Sequence, residues 1–309
     1  MTAGYVRLAQ TGELARRAAQ ATERMRQCDL CPRRCGVDRF AGELGVCRAP
    51  AALKIASDNL HFGEEPPITG TGGSGTVFLS HCTLRCHYCQ NWPISHLDNG
   101  VTVTPAELAE KMVALQSRGA HNINFVTPSH YIGPILAALD AAVPLGLTVP
   151  VVWNCSGYEA LDALALLDGV VDIYLPDAKH ATADAARTCC ATPDYPEVNR
   201  AALQEMWRQV GKLQCDEAGI AVRGLMVRHL VLPHDLAGSR AVLRWLHDEL
   251  SPDVYVCVMS QYFPAHDARR HPQLARKLTA DEYLAALEAL EECAFTDGLT
   301  QEPPDDDET

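Results

Sequence analysis

A partial α/β barrel of six consecutive βα units is the architecture this chain predicts, on three observations. Six short β-rich apolar runs recur from Gly75 onward, each leads into a helical stretch, and each gives way to polar residues just past its end. Nearly continuous apolar runs suit strands covered on both faces. Six strands are too few for the usual eight-stranded closure, and in barrels of this kind chemistry gathers at the C-terminal ends of the strands. With 309 residues, 47% of them hydrophobic, one large core is expected. The expected organisation is an N-terminal helix and Cys-rich metal-binding segment over 1–60, the barrel over 61–300, and a disordered acidic tail, ending "EPPDDDET", over 301–309.

The opening stretch "MTAGYVRLAQTGELARRAAQATERM" reads as an amphipathic helix without the apolar core of a signal peptide. No run of about 18 apolar residues occurs, so a cytoplasmic protein with no membrane partner is expected. The six strands are "TVFLS" (76–80), "NINFV" (122–126), "TVPVVW" (148–153), "VVDIYL" (170–175), "GLMVRHLVL" (224–232) and "DVYVCVM" (253–259). Between the first two, Thr104 as N-cap, Pro105, Glu107 three residues on and Gly119 past the last turn mark a helix. Weaker periodicity predicts helices over 132–142, 159–167, 196–213, 238–250 and 280–293.

The strands end at Ser80-His81-Cys82, "TPSHY" (127–131), "NCSGYE" (154–159), "PDAKH" (176–180), Pro233-His234 and "SQYFPAH" (260–266). Six polar tips on one side predict a site there. The Gly-rich "TGTGGSGT" before the first strand lacks the lysine of a phosphate loop and precedes a strand, so it reads as flexible backbone. A net charge of −13 lacks the basic surface that nucleic acid requires.

Thirteen cysteines in a reducing compartment point to metal or redox chemistry. Cys82, Cys86 and Cys89, spaced C-x3-C-x2-C after the first strand, offer soft ligands for an iron–sulfur cluster with one iron open, or for a zinc completed by His81, His87 or His96. Cys28, Cys31, Cys35 and Cys47 have enough ligands for a tetrahedral zinc or a second cluster. Glycines at 36, 42 and 45 supply the turns that return Cys47 to the other three. Cys155, Cys189, Cys190, Cys215, Cys257 and Cys293 read as small buried hydrophobes.

The triple-cysteine spacing, with Tyr88 before its last member, resembles the signature of the radical S-adenosylmethionine (SAM) superfamily. The stretches "CDLCPRRCGVDRFAGELGVCR", "FGEEPPITGTGGSGTVFLSHCTLRCHYCQNWPIS", "NINFVTPSHY", "VVWNCSGYE" and "DIYLPDAKH" are similar to the pyruvate formate-lyase-activating-enzyme-like proteins of that superfamily. The resemblance implies an enzyme with a partial (β/α)6 barrel of the radical SAM type. Cys82, Cys86 and Cys89 would hold a [4Fe–4S] cluster whose open iron chelates SAM, so that one electron cleaves the sulfonium and hydrogen is taken from a substrate. It further places Tyr88 and Gln90 by the SAM site, Asn124, Thr127 and His130 where relatives carry a Gly-Gly-Glu run, Asn154 and Ser156 toward the ribose or carboxylate, and Asp177 and Lys179 in the same cavity. A reducing partner such as flavodoxin or ferredoxin, and an unidentified small-molecule or protein substrate, are implied with it.

Two other functions compete. Activation of a glycyl-radical partner protein is one, although activases with auxiliary clusters carry those cysteines after the triple motif, whereas here they precede it. The other is a non-catalytic iron–sulfur or zinc-binding electron-transfer protein, which leaves the six polar tips without a purpose.

Overall fold

The computed structural model describes residues 3–305; the part of the expected tail over 306–309 lies outside them. Ten strands form one open sheet: β1 (Lys54–His61), β2 (Ser74–Leu79), β3 (Val101–Thr102), β4 (Ile123–Val126), β5 (Val151–Cys155), β6 (Ile173–Pro176), β7 (Gln214–Cys215), β8 (Ala221–Leu230), β9 (Tyr255–Met259) and β10 (Gly298–Thr300). Their order is β10-β9-β8-β6-β5-β4-β2-β1-β3, with β7 on the side of β8. The six expected strands, β2, β4, β5, β6, β8 and β9, lie side by side in chain order and all run parallel. The sheet is thus the expected unclosed barrel, extended at one edge by parallel β10 and at the other by antiparallel β1 and β3.

Period-two alternation sorts each strand's side chains between two apolar environments. Val152, Ile173, Leu175, Met226, Tyr255 and Cys257 face inward, and Ile68, from the helical turn Pro66–Thr69 between β1 and β2, packs among them. That turn therefore plugs the lower part of the concave face. The alternate residues Val151, Trp153, Tyr174, Leu225, Val227 and Val256 join the outer core beneath the helices.

The helix Pro105–Ser117 has its expected capping box, Thr104 with Glu107, and Ile132–Ala142 and Ala280–Cys293 match their expected spans. Three others are altered. The 159–167 helix is a turn, Leu161–Leu164, continued as a 3-10 turn; 196–213 is Tyr195–Val210; and 238–250 changes after Trp245 to a wider π turn. Helix Ala183–Cys190 has no counterpart in the expectation.

The boundary expected at 60/61 falls inside β1, which pairs with β2 from Ile55 to His61. The residues before it are equally attached to the barrel. The N-terminal helix is broken at Thr11-Gly12, and its second half, Glu13–Glu23, lies on Ile132–Ala142. Contact is so close that a Cβ at Gly133 would sit 2.6 Å from Thr22 Oγ1. An amphipathic helix needs a cover for its apolar face, and this one finds it on the barrel's helical layer. At the far end, Ser260 N donates to Gln301 Oε1 (2.8 Å) and Ser260 Oγ to the Glu302 carbonyl (2.7 Å), so the first two residues of the expected tail are tied to the loop after β9.

Candidate active site

The loop after β2 is bent by two residues with left-handed backbones, His81 (φ 74°) and Arg85 (φ 57°). His81 N donates to the Ile94 carbonyl (2.9 Å), and its Nε2 meets Asp98 at 2.9 Å. Cys89 N donates to the Cys86 carbonyl, and Cys89 Sγ lies 3.2 Å from Ser95 Oγ. So folded, the loop turns Cys82, Cys86 and Cys89 toward one cavity of about 440 Å³ at the C-terminal ends of the parallel strands. Burial pushes the Cys82 thiol up to about 11. Contact with the Cys190 thiol, and then burial, raise Cys86; burial also raises Cys89. These are groups that ionise on binding a cation and otherwise stay protonated. Among the described residues no three His, Cys, Asp or Glu side chains are gathered tightly enough to hold a single metal ion. What fits a cluster here is the donor set, three soft thiols on one cavity wall.

Of the other expected site residues, Tyr88, Gln90, Thr127, Asn154, Ser156, Asp177 and Lys179 line this same cavity. Tyr88 is buried, its hydroxyl 3.4 Å from His180 Nε2 and its ring against Tyr262. Gln90 Nε2 donates to the Gln261 carbonyl (2.8 Å). Lys179 Nζ and Asp177 Oδ2 are 2.7 Å apart. Burial alone would lower the lysine, but the Asp177 carboxylate together with the Cys86 and Cys89 thiols offsets it and holds the ammonium above the ordinary lysine range. The two tips carrying these residues are braced from behind. Tyr195 Oη donates to the Ser156 carbonyl (2.8 Å), and Asn199 Nδ2 lies 2.9 Å from the Asp177 carbonyl and 3.1 Å from that of Gly157. Gly157 (φ 70°) lets the braces close, since a Cβ there would meet Asn199 Nδ2 at 2.2 Å.

Two expected ligands point elsewhere. His130 is buried with its Nε2 2.8 Å from the Ser80 carbonyl, so it steadies the thiol loop from outside, and burial holds its pKa down at about 3. Asn124 is on the inward face but two residues below the end of β4, where its Nδ2 donates to Glu64 Oε1 (3.1 Å). A carboxylate covers it. The fifth tip also faces away, with His234 N donating to Glu282 Oε1 (2.6 Å).

The expectation missed the lower half of the cavity. Glu64 and Glu65, just before the plug, and Arg228, inside β8, line it together with Cys257. Arg228 Nε and Nη2 donate to the two oxygens of Glu65, each at 2.6 Å, and Nη2 also donates to Glu64 Oε2. Burial would raise Glu65, yet the guanidinium holds it below the usual carboxylate range. The available signals were an arginine within an apolar run and the doubled acid of "FGEEPP". Cys190 and Cys257, read as plain hydrophobes, touch Cys86 and Glu65, and Cys215 is exposed.

The four N-terminal thiols are neighbours in a separate segment, and as placed they too are not tight enough to hold a single ion. Cys28 N donates to the Val37 carbonyl and Gly36 N to that of Cys28, both at 2.9 Å. The Val46 and Ala49 amides each lie 3.4 Å from a thiol, Cys35 and Cys47. Burial raises Cys31 and Cys47, with the neighbouring thiols adding to it. Arg33 ties this segment to the thiol loop, donating to Thr83 O (3.3 Å), Leu84 O (3.4 Å) and Thr192 Oγ1 (2.6 Å).

No family model matches the chain. An uncharacterized protein of Methanocaldococcus jannaschii is 29% identical over 276 residues, 86% of this chain and 75% of its own. Among solved structures, the chain is similar to HydG, a maturase of the [FeFe]-hydrogenase (11% identity, TM-score 0.49, 77% of this chain and 54% of that one). It is also similar to the radical S-adenosylmethionine methyltransferase TsrM from Kitasatospora setae, with cobalamin and a [4Fe-4S] cluster bound (15%, TM-score 0.43, 60% and 36%). Methylornithine synthase is a third (15%, TM-score 0.40, 75% and 72%). The chain spans about a third of TsrM and about half of HydG. Likenesses this distant add nothing to what the site's own geometry says about activity.

Proposed function

We propose that the chain is a radical SAM enzyme of the pyruvate formate-lyase-activating-enzyme-like kind, with Cys82, Cys86 and Cys89 holding a [4Fe–4S] cluster. The observation that carries this reading is the placement of three thiols from one loop on the wall of a cavity that six parallel strands and a plug enclose. A cluster held by three cysteines keeps one iron open for the amino and carboxylate groups of SAM and supplies the electron that cleaves its sulfonium. The chain's own residues bind and orient. Lys179, kept cationic by Asp177, meets a carboxylate; Asn154 and Ser156, whose buried Oγ has no partner, offer hydrogen bonds to ribose or carboxylate; Tyr88 packs along the wall.

The four N-terminal thiols, in this reading, hold a second metal. Iron–sulfur is favoured over zinc because the same chain already offers thiols to one cluster, and a reducing protein such as flavodoxin or ferredoxin supplies electrons. Anaerobic reconstitution with dithionite and SAM tests the proposal. Release of 5′-deoxyadenosine and an EPR signal that shifts on adding SAM are expected, and an unchanged spectrum with no nucleoside product overturns it.

A further inference from the structure

The cavity's lower half carries one more negative charge than its pairing requires. Glu65 and Arg228 already form a closed two-bond pair, both oxygens on Nε and Nη2 at 2.6 Å. Glu64 leans on the same Nη2 and is left over. Both carboxylates are nearly sealed from solvent, with side-chain exposures of 6% and 4%, and a lone guanidinium serves the two. The other charged pair of the cavity, Asp177 with Lys179, is balanced. Two buried carboxylates thus share one guanidinium, and Glu64 can take a second cationic partner without breaking the closed pair of Glu65. The polar network continues beneath Glu64 to Asn124. Its Nδ2 donates to Glu64, while its Oδ1 is buried without any donor.

We propose that Glu64 receives a cationic group of the substrate, a primary ammonium or a guanidinium, at the floor of the cavity. This deepens the radical SAM reading and rests on it: the thiols lie at the strand ends and Glu64 below them, beside the middle of β4, so a substrate seated on Glu64 is held under the place where SAM would bind. Such a cation brings the charge that Glu64 lacks, and several N–H donors for acceptors at the floor. Arg228 competes with it for the same oxygen. An anionic substrate would meet two carboxylates and a guanidinium already committed to them.

SAM carries an ammonium of its own, and the test separates the two sources. Isothermal titration of the anaerobic, cluster-loaded protein with SAM present uses n-butylammonium and agmatine as cationic probes and butyrate as the anionic control. The cations are expected to bind, butyrate not, and Glu64→Gln to weaken the cations by at least about tenfold while SAM affinity stays within about threefold. Arg228→Gln, which frees the shared oxygen, is expected to hold or tighten the cations; a merely structural role would make both variants lose them. Butyrate binding as well as butylammonium overturns the proposal. So does equal weakening of SAM and cation in Glu64→Gln, which would give Glu64 to the ammonium of SAM. Should wild-type protein fail to bind SAM at all, the radical SAM reading itself falls; SAM binding without cation binding sinks this inference alone.

Discussion

Four thiols of the N-terminal segment, Cys28, Cys31, Cys35 and Cys47, are neighbours within twenty residues of chain, whereas the three of the loop after β2 are presented to a space that other elements build. In the first group the walls are the segment's own backbone amides at Val46 and Ala49. In the second they are the tips of β4, β5 and β6, the interior of β8 and β9, and the charged floor before the plug. Four thiols can saturate a metal and three cannot. The surroundings thus differ with the number of thiols: the four lie among the turns of their own short segment, and the three face a cavity built by strands from across the sheet.

The comparison breaks most completely at the incomplete set. Cys82→Ala is expected to abolish 5′-deoxyadenosine formation and to remove the cavity's cluster, measured by nucleoside release and iron content. Turnover near the wild-type rate would end the distinction between the two groups. A smaller effect follows from Asp177→Ala, which strands the buried Lys179 ammonium and frees it to move. SAM cleavage should fall by about tenfold to hundredfold with the cluster's absorbance unchanged; normal turnover would make the pair a structural one.

The complete set is sharpened by Cys28→Ser with Cys31→Ser. Metal content should fall by the N-terminal site's share, with a loss of roughly 2 kcal/mol or more in stability, while the EPR response to SAM survives. Unchanged zinc and iron would mean that the four thiols bind nothing. The smallest effect lies behind the cavity, where burial raises Glu159 from an ordinary 4.5 to about 7 and Ser129 Oγ donates to it. Between these values the folded chain holds a proton that the unfolded chain has released, so Glu159 contributes a stability that declines as pH rises from about 4.5 to about 7. Over that window the decline is at most about 3 kcal/mol, and Glu159→Gln should flatten it in urea unfolding at pH 5 and pH 8.

How far the site was legible depended on the distance along the chain over which each residue's purpose is expressed. Cys82, Cys86 and Cys89 act within eight residues of one another, and their spacing already carried the chemistry. Asp177 and Lys179 were readable as well, because period two at a strand end puts both on one side. His130 was not. Its neighbours Thr127 and Ser129 share its polar tip, and only the fold turns its ring outward to the Ser80 carbonyl. Arg228 sits within an apolar strand, and its purpose shows only where Glu65, far earlier in the chain, is brought against it.

By itself the sequence determined the parallel six-strand order, the capped helix after Thr104, the side of the sheet on which polar residues collect and the two sets of thiols. These follow from periodicity, capping and ligand spacing, which act over a few residues. Only the tertiary structure decided that β1 and its following turn enter the barrel, placing Ile68 among the inward residues of four strands and Glu64 and Glu65 on the cavity floor. It likewise decided that Asn124 lies beneath that floor and that the N-terminal helix is fixed against Ile132–Ala142. The reason is that a buried charge or an apolar face is satisfied by whichever partner folding delivers, and no local pattern names a partner that lies beyond its own few residues.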